Sequence, residues 1–274
     1  MARRYQTVLV TGASSGMGKD FAHRLLRDGY KVYAAARSVD KMADLAEAGA
    51  LVLKMDITRD EDILAAVETI RAASGGVDVL INNAGYGQYG PVEETPIDKA
   101  RYQFEVNLFG LARVTQLLLP AMRANGQGLI VNISSMGGKI HTPLGSWYHA
   151  TKHALEGWSD CLRIELKPQG IDVVVIEPGI ILTGFADALA DNNQGDPNGP
   201  YGDLVRKLAE AGKRAYERGT GSPVSVVSDL VMRAIRAERP RTRYVGGALA
   251  RPLMTLRRLL PDRVFDRLLM SQFR

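Results

Sequence analysis

One cysteine, Cys161, stands among 274 residues, which leaves no intrachain disulfide and points to a reducing, cytoplasmic setting. No cation cluster lies near it to activate the thiol, so buried packing is its expected role. Long hydrophobic runs are also missing. None approaches the roughly 20 residues needed to span a bilayer, and the opening Met-Ala-Arg-Arg-Tyr enters a strand-like segment without an apolar signal core. Histidines number four. His149 and His153 are spaced as in a zinc-protease helix, but Ala150 stands where that motif needs glutamate and no third ligand is evident, so no metal is expected. Gly-x-Ser-x-Gly does not occur, and nothing supports a hydrolase elbow. Aromatic residues make up 7% and do not interleave with a basic stripe, so no nucleic-acid partner is expected.

The first two-thirds of the chain alternate short β-branched or apolar runs with longer helix-period segments. Strands are expected at Thr7–Thr11, Lys31–Ala36, Leu51–Met55, Val77–Ile81, Leu129–Ser134, Asp172–Glu177 and Arg243–Val245. Helices are expected at Gly16–Arg27, Glu61–Ala73, Ala100–Ala124 and Trp147–Lys167. This rhythm predicts an α/β fold, a doubly wound parallel sheet of about seven strands, Rossmann-like, with helices on both faces. Ligand should then bind at the C-terminal ends of the strands. No repeat or linker divides residues 1–274, so one domain is expected. Residues 184–222 break the rhythm, being rich in Asp, Asn, Gly and Pro with one helical stretch, Leu204–Arg218. An insertion of that length reads as a lid or binding loop.

Charge is unevenly placed. Nine arginines, no lysine and two acids, Asp262 and Asp266, fall between Arg239 and Arg274, a net +7 that leaves −2 on residues 1–238. Within the basic amphipathic tail, residues 250–274, Leu253, Leu256, Leu260, Val264 and Leu268 recur at near-helical spacing and Pro261 divides two short helices. Two readings stand: peripheral contact with anionic lipid, or, the favoured one, helices packed on their own domain or a subunit with solvated arginines.

Thr11-Gly12-Ala13-Ser14-Ser15-Gly16-Met17-Gly18 follows the first strand and opens a helix, where backbone N–H groups and the helix dipole favour a dinucleotide pyrophosphate. The plain alternative is an ordinary tight turn. At the end of the second strand, an acid would bind the ribose diol of NAD, whereas arginine suits the 2′-phosphate of NADP. The sequence there is Ala36-Arg37-Ser38, which favours NADP(H); the alternative is a solvated loop arginine.

With these segments, Asn82-Asn83-Ala84-Gly85, Asn107, Asn132-Ile133-Ser134-Ser135, Tyr148-His149-Ala150-Thr151-Lys152 and Pro178-Gly179 followed by Thr183 occur in one order. The chain therefore resembles the short-chain dehydrogenase/reductase family over roughly residues 5–185. The resemblance implies Tyr148 as general acid/base, Lys152 on the nicotinamide ribose, Ser135 polarising the carbonyl and Asn107 holding a relay water. It also implies cofactor contacts from Gly12, Ser14, Ser15, Gly16, Met17, Gly18, Asp56, Ile57, Asn83, Ala84, Gly85, Pro178, Gly179, Ile181 and Thr183. Homodimers or homotetramers through helices 100–124 and 147–167 are implied likewise.

The chemistry also stands on the residues. Tyr148 and Lys152 lie one helical turn apart, and an ammonium beside a phenol favours phenolate, lowering a pKa that is otherwise near 10. Ser135, at a strand end, can donate to a developing oxyanion. Alone, Tyr-x-x-x-Lys would read as an ordinary surface pair. The substrate pocket is expected to include Tyr86, Met136, Leu144 and Phe185, with little fixed charge. That favours a hydrophobic, steroid-, retinoid- or lipid-like carbonyl or alcohol as the small-molecule partner. The expected function is an NADP(H)-dependent oxidoreductase. A non-catalytic NADP(H)-binding regulatory protein is the alternative, with nucleotide-sugar epimerase or dehydratase chemistry third.

Overall fold

The computed structural model describes residues 4–183, 195–217 and 219–272. Seven strands, β1 (Thr7–Thr11), β2 (Lys31–Ala36), β3 (Leu51–Lys54), β4 (Val79–Asn82), β5 (Gly128–Ile133), β6 (Ile171–Pro178) and β7 (Arg243–Gly246), form one parallel sheet. Their order is β3-β2-β1-β4-β5-β6-β7. The central strands read as continuous apolar runs because helices cover both faces. Side chains alternate between them: Val8 and Val10 join one buried cluster while Leu9, between them, joins the other.

The helices that matter for the site are α1 (Gly16–Arg27), α2 (Ala43–Glu47), α3 (Asp60–Ser74), α4 (Ile97–Phe104), α5 (Gly110–Ala124) and α6 (Ser146–Leu166). A five-residue π turn, Glu105–Phe109, joins α4 to α5, so the expected helix over 100–124 is interrupted at Asn107. Helix α7 (Gly202–Glu217) lies in the expected insertion, followed by α8 (Val224–Arg236). The Tyr201 hydroxyl donates to Glu93 and the Asp196 amide to Glu94, which ties this part of the insertion to the segment after β4. Because β1 pairs with both β2 and β4, the crossovers diverge there, and a crevice opens at the C-terminal ends of these strands.

The tail forms α9 (Ala250–Leu259) and α10 (Asp262–Ser271), separated at Pro261 as its sequence predicts. Phe265 and Leu269 are buried against Ile140, and Met136 packs at the same cluster. Burying a phenylalanine of this kind stabilises by roughly 1.5–3 kcal/mol. One expectation needs amendment. Cys161 is exposed, on the solvent side of α6, rather than packed inside. Phe185 and residues 184–194 of the insertion lie outside the described residues.

Candidate active site

The turn between β1 and α1 is shaped to admit an anion. Ser15 precedes the helix in extended conformation, no side chain caps α1, and its first turn holds no acid, so the first N–H groups and the positive dipole end are free for one. Gly12 has φ +67°, and a Cβ on Gly18 would stand 2.4 Å from both the Asn83 amide nitrogen and the Gly12 carbonyl oxygen. Only glycine fits either position. Asn83 Nδ2 donates to the Thr11 and Gly12 carbonyls at 3.0 and 3.2 Å, and Thr11 Oγ1 accepts from the Asn83 and Ala84 amides. The turn is thereby fastened to the end of β4.

A cleft of about 610 Å³ opens beside it, within the roughly 300–1,000 Å³ of small-molecule sites. Its walls include Gly12 and Ser14–Met17, Arg37 after β2, Asp56 and Ile57 after β3, Asn83–Gly85 after β4, and Thr183. Arg37 is exposed at this wall, donating to the Tyr102 hydroxyl at 3.3 Å. The Asp56 carboxylate accepts from the Thr58 amide and hydroxyl, which makes it the pivot of a turn as well as a wall. The glycine cradle, the uncapped helix and a cation where an acid would bind a diol together fit a dinucleotide.

The candidate catalytic residues lie beyond Gly85, next to this cleft. Ser135 follows β5, and its hydroxyl accepts from the Gly137 amide at 3.0 Å. Tyr148 and Lys152 are buried on one face of α6. Burial holds the Tyr148 phenol well above its ordinary pKa, neighbouring Tyr89 adds to this, and a hydrogen bond with Ser135 opposes it. The direction is thus opposite to the one expected from an ammonium beside a phenol, and Lys152 is not among its causes. Lys152 Nζ donates to the Ile133 carbonyl at 2.9 Å. Burial lowers its pKa to about 8, against the raising effect of Glu156.

Asn107 occupies the π turn, a break that recurs at functional positions. Its Oδ1 accepts from the Tyr86 amide at 3.0 Å, and its Nδ2 donates to the Tyr86 carbonyl at 2.9 Å and to Thr151 Oγ1 at 3.1 Å. One side chain thus joins the cleft wall to the turn of α6 between Tyr148 and Lys152. His149, on the same helix, clasps the loop after Ser135. Its Nε2 accepts from the Thr142 amide, so Nδ1 carries the proton and donates to the Gly137 carbonyl. Burial lowers its pKa to about 4, keeping the ring neutral. Among the described residues, no group of three or more His, Cys, Asp or Glu side chains gathers to hold a metal.

Behind Lys152 lies a buried charge cluster with no local sequence signature. Glu156, one turn along α6 and 3% exposed, meets Lys139 at 3.0 Å and Arg243 at 3.0 Å. Arg243 also reaches Asp160 at 2.7 Å and Glu177 at 3.3 Å. Burial, reinforced by Glu156, pushes the Glu177 carboxyl far above the usual range, with Lys139 and Arg243 opposing.

Other expected residues fall as follows. Tyr86 lines the dinucleotide-sized cleft, its ring 5.8 Å from that of Tyr102. Met136 packs toward the tail cluster. Leu144 is half-buried with φ +62°, and its carbonyl accepts from Gly90. Pro178 closes β6, Gly179 donates to Gly246, and Ile181 bridges Ser222. Tyr102, Ser38, Met55 and Val106 also line the cleft, and none was marked by a motif.

A model of the short chain dehydrogenase family matches residues 6–194. An uncharacterized oxidoreductase of Escherichia coli, YbbO, is 39% identical over 96% of this chain and 94% of its own. The NADPH-dependent 3-dehydrocapnine reductase of Ornithobacterium rhinotracheale is 33% identical over 95% of this chain and 94% of its own. A solved short-chain dehydrogenase from Streptomyces avermitilis superposes with a TM-score of 0.82 at 34% identity, over 99% of this chain and 97% of that one. With that sheet order and that cleft, the chain belongs to the short-chain dehydrogenase/reductase family of oxidoreductases.

Proposed function

We propose that the protein interconverts a hydrophobic ketone or aldehyde and its alcohol with NADP(H), using Tyr148 as the proton donor and acceptor. The observation that carries this is the hydrogen bond between Ser135, from the end of β5, and Tyr148 on α6, with Lys152 buried one turn along the same helix. When bound, NADPH supplies the hydride. Ser135 orients the substrate oxygen and donates a hydrogen bond as charge builds there. Tyr148, kept protonated by burial, then delivers its proton to that oxygen. Lys152 presents a buried ammonium to the ribose side, held in place by the Ile133 carbonyl.

Arg37 supports NADP(H) over NAD(H), because no acid ends β2 and a guanidinium fork matches a phosphate. The NADPH dependence and reductase activity in the name of the Ornithobacterium relative agree with an NADP(H)-dependent reductase. Met136, Leu144 and Phe185 are the proposed apolar contacts for substrate. We place the enzyme in the cytoplasm as a homodimer or homotetramer. Ile164 on α6, 67% exposed, and Phe109 beside α5 supply apolar surface for that contact.

Following NADPH absorbance against aldehydes, ketones and sterols tests the activity. Tyr148→Phe is expected to abolish turnover and leave NADPH binding intact. Substantial retained turnover would refute the role. A wild-type protein that binds NADPH but turns over nothing in the panel would favour the regulatory alternative.

A further inference from the structure

We infer that the outer face of α9 and α10 is a docking surface for an anionic phospholipid bilayer. The two helices have distinct sides. Phe265 and Leu269 fasten α10 to Ile140. The side turned away carries Arg263, Val264, Arg267, Leu268 and Met270, all exposed, on roughly half of the helix circumference at 3.6 residues per turn. At the end of α9, Arg258 and Leu259 continue it, with Leu259 72% exposed.

Charge decides the occupant. Both acids of α10 lie on its flank and, though exposed, are paired with groups of the fold, Asp262 with Arg257 at 2.8 Å and Asp266 with His141 at 2.9 Å. Among the described residues, Arg251, Arg258, Arg263 and Arg267 make no ion pair or hydrogen bond. The outer face is therefore cationic and apolar with no acid in it, and it belongs to a segment of net +7 on a body of net −2. Interfacial helices have this composition: leucine and methionine enter the acyl boundary while arginine stems bury and their heads reach lipid phosphates. A second copy of the chain would bring the same cations against one another. The body, with its slight negative charge, would turn away from the lipid.

Co-sedimentation of the full chain with vesicles tests this. Binding is expected to phosphatidylcholine vesicles containing one-third phosphatidylglycerol, and not to pure phosphatidylcholine. It should largely disappear near 0.5 M salt, where screening is within about 4–5 Å. The double variant Arg263→Gln/Arg267→Gln should lower the partition coefficient roughly 25-fold, at about fivefold per arginine near the surface. Val264→Ser/Leu268→Ser should also weaken binding, which pure charge attraction would not show. The thermal midpoint and NADPH affinity of each variant report the fold and should match the wild type. Equal binding to both vesicle types, or none to either, overturns the inference. So does a change of oligomeric mass in Val264→Ser/Leu268→Ser by light scattering, which would make the face a subunit contact.

Discussion

Replacing Arg243 by methionine keeps an unbranched stem in place and removes the cation shared by three carboxylates. Glu156 and Glu177 are 3% and 1% exposed, so neither can turn to water when the guanidinium goes. Asp160 is partly exposed, so water can replace part of what it loses. Removing one partner from a buried pair destabilises by about 3–5 kcal/mol when the remaining charge is stranded; Lys139 still meets Glu156 at 3.0 Å, which places the loss at the lower end of that range. For a domain of this size each kcal/mol moves the midpoint by roughly 2–4 °C, so the loss should be near 10 °C. The effect should also depend on pH. The Glu177 carboxyl titrates above its unfolded value, so the native state holds its proton longer than the unfolded state. Stability from this group is complete at pH values below the unfolded glutamate range and is lost as pH rises through the folded value. Without Arg243 the ionised pair is still less tolerable, so the variant should lose more at pH 8 than at pH 5.5. Thermal scans of both proteins at the two pH values provide the measurement. Glu156→Gln added to Arg243→Met should recover part of the loss. A loss below about 1 kcal/mol, or one identical at both pH values, would show that the cluster is not the buried electrostatic unit described.

Arg37→Ala should weaken NADPH binding far more than NADH binding, by tenfold or more at the roughly 1.5–3 kcal/mol of a hydrogen bond to a charged group; equal losses in fluorescence titrations would remove the 2′-phosphate assignment. Gly18→Ala should abolish dinucleotide binding and destabilise by about 1–3 kcal/mol, since its methyl would stand 2.4 Å from the Gly12 carbonyl; calorimetry and NADPH titration read the two effects. Because burial lowers the Lys152 pKa to about 8, its ammonium is lost as pH rises through that value. NADPH affinity should therefore fall from pH 7 to pH 9, and a flat profile by titration calorimetry would place the ribose elsewhere.

The sheet was readable because each central strand is a short apolar run between turn residues, and all seven expected strands occur within a few residues of their predicted ends. The same holds for the glycine turn, whose backbone demands leave no choice of residue at Gly12 or Gly18. Site features that depend on distant contact were not readable. The Glu156–Arg243 contact joins residues 87 apart, and nothing near either one announces the other. Asn107 could be singled out by resemblance, but the π turn that aims it, and its grip on Tyr86, emerge only from packing α4 and that turn against α6. Cys161 was misplaced because a run such as Trp158-Ser159-Asp160-Cys161-Leu162 does not fix which side of a helix faces water; the sheet beneath α6 decides it.

The amide of Asn107 touches Tyr86 on one side and Thr151 on the other. It works as a gauge, setting the spacing between the wall of the cleft and the helix that carries Tyr148, the proposed proton donor. On the proposed roles, a change at this seam would shift the proton relative to the hydride and so detune every substrate alike.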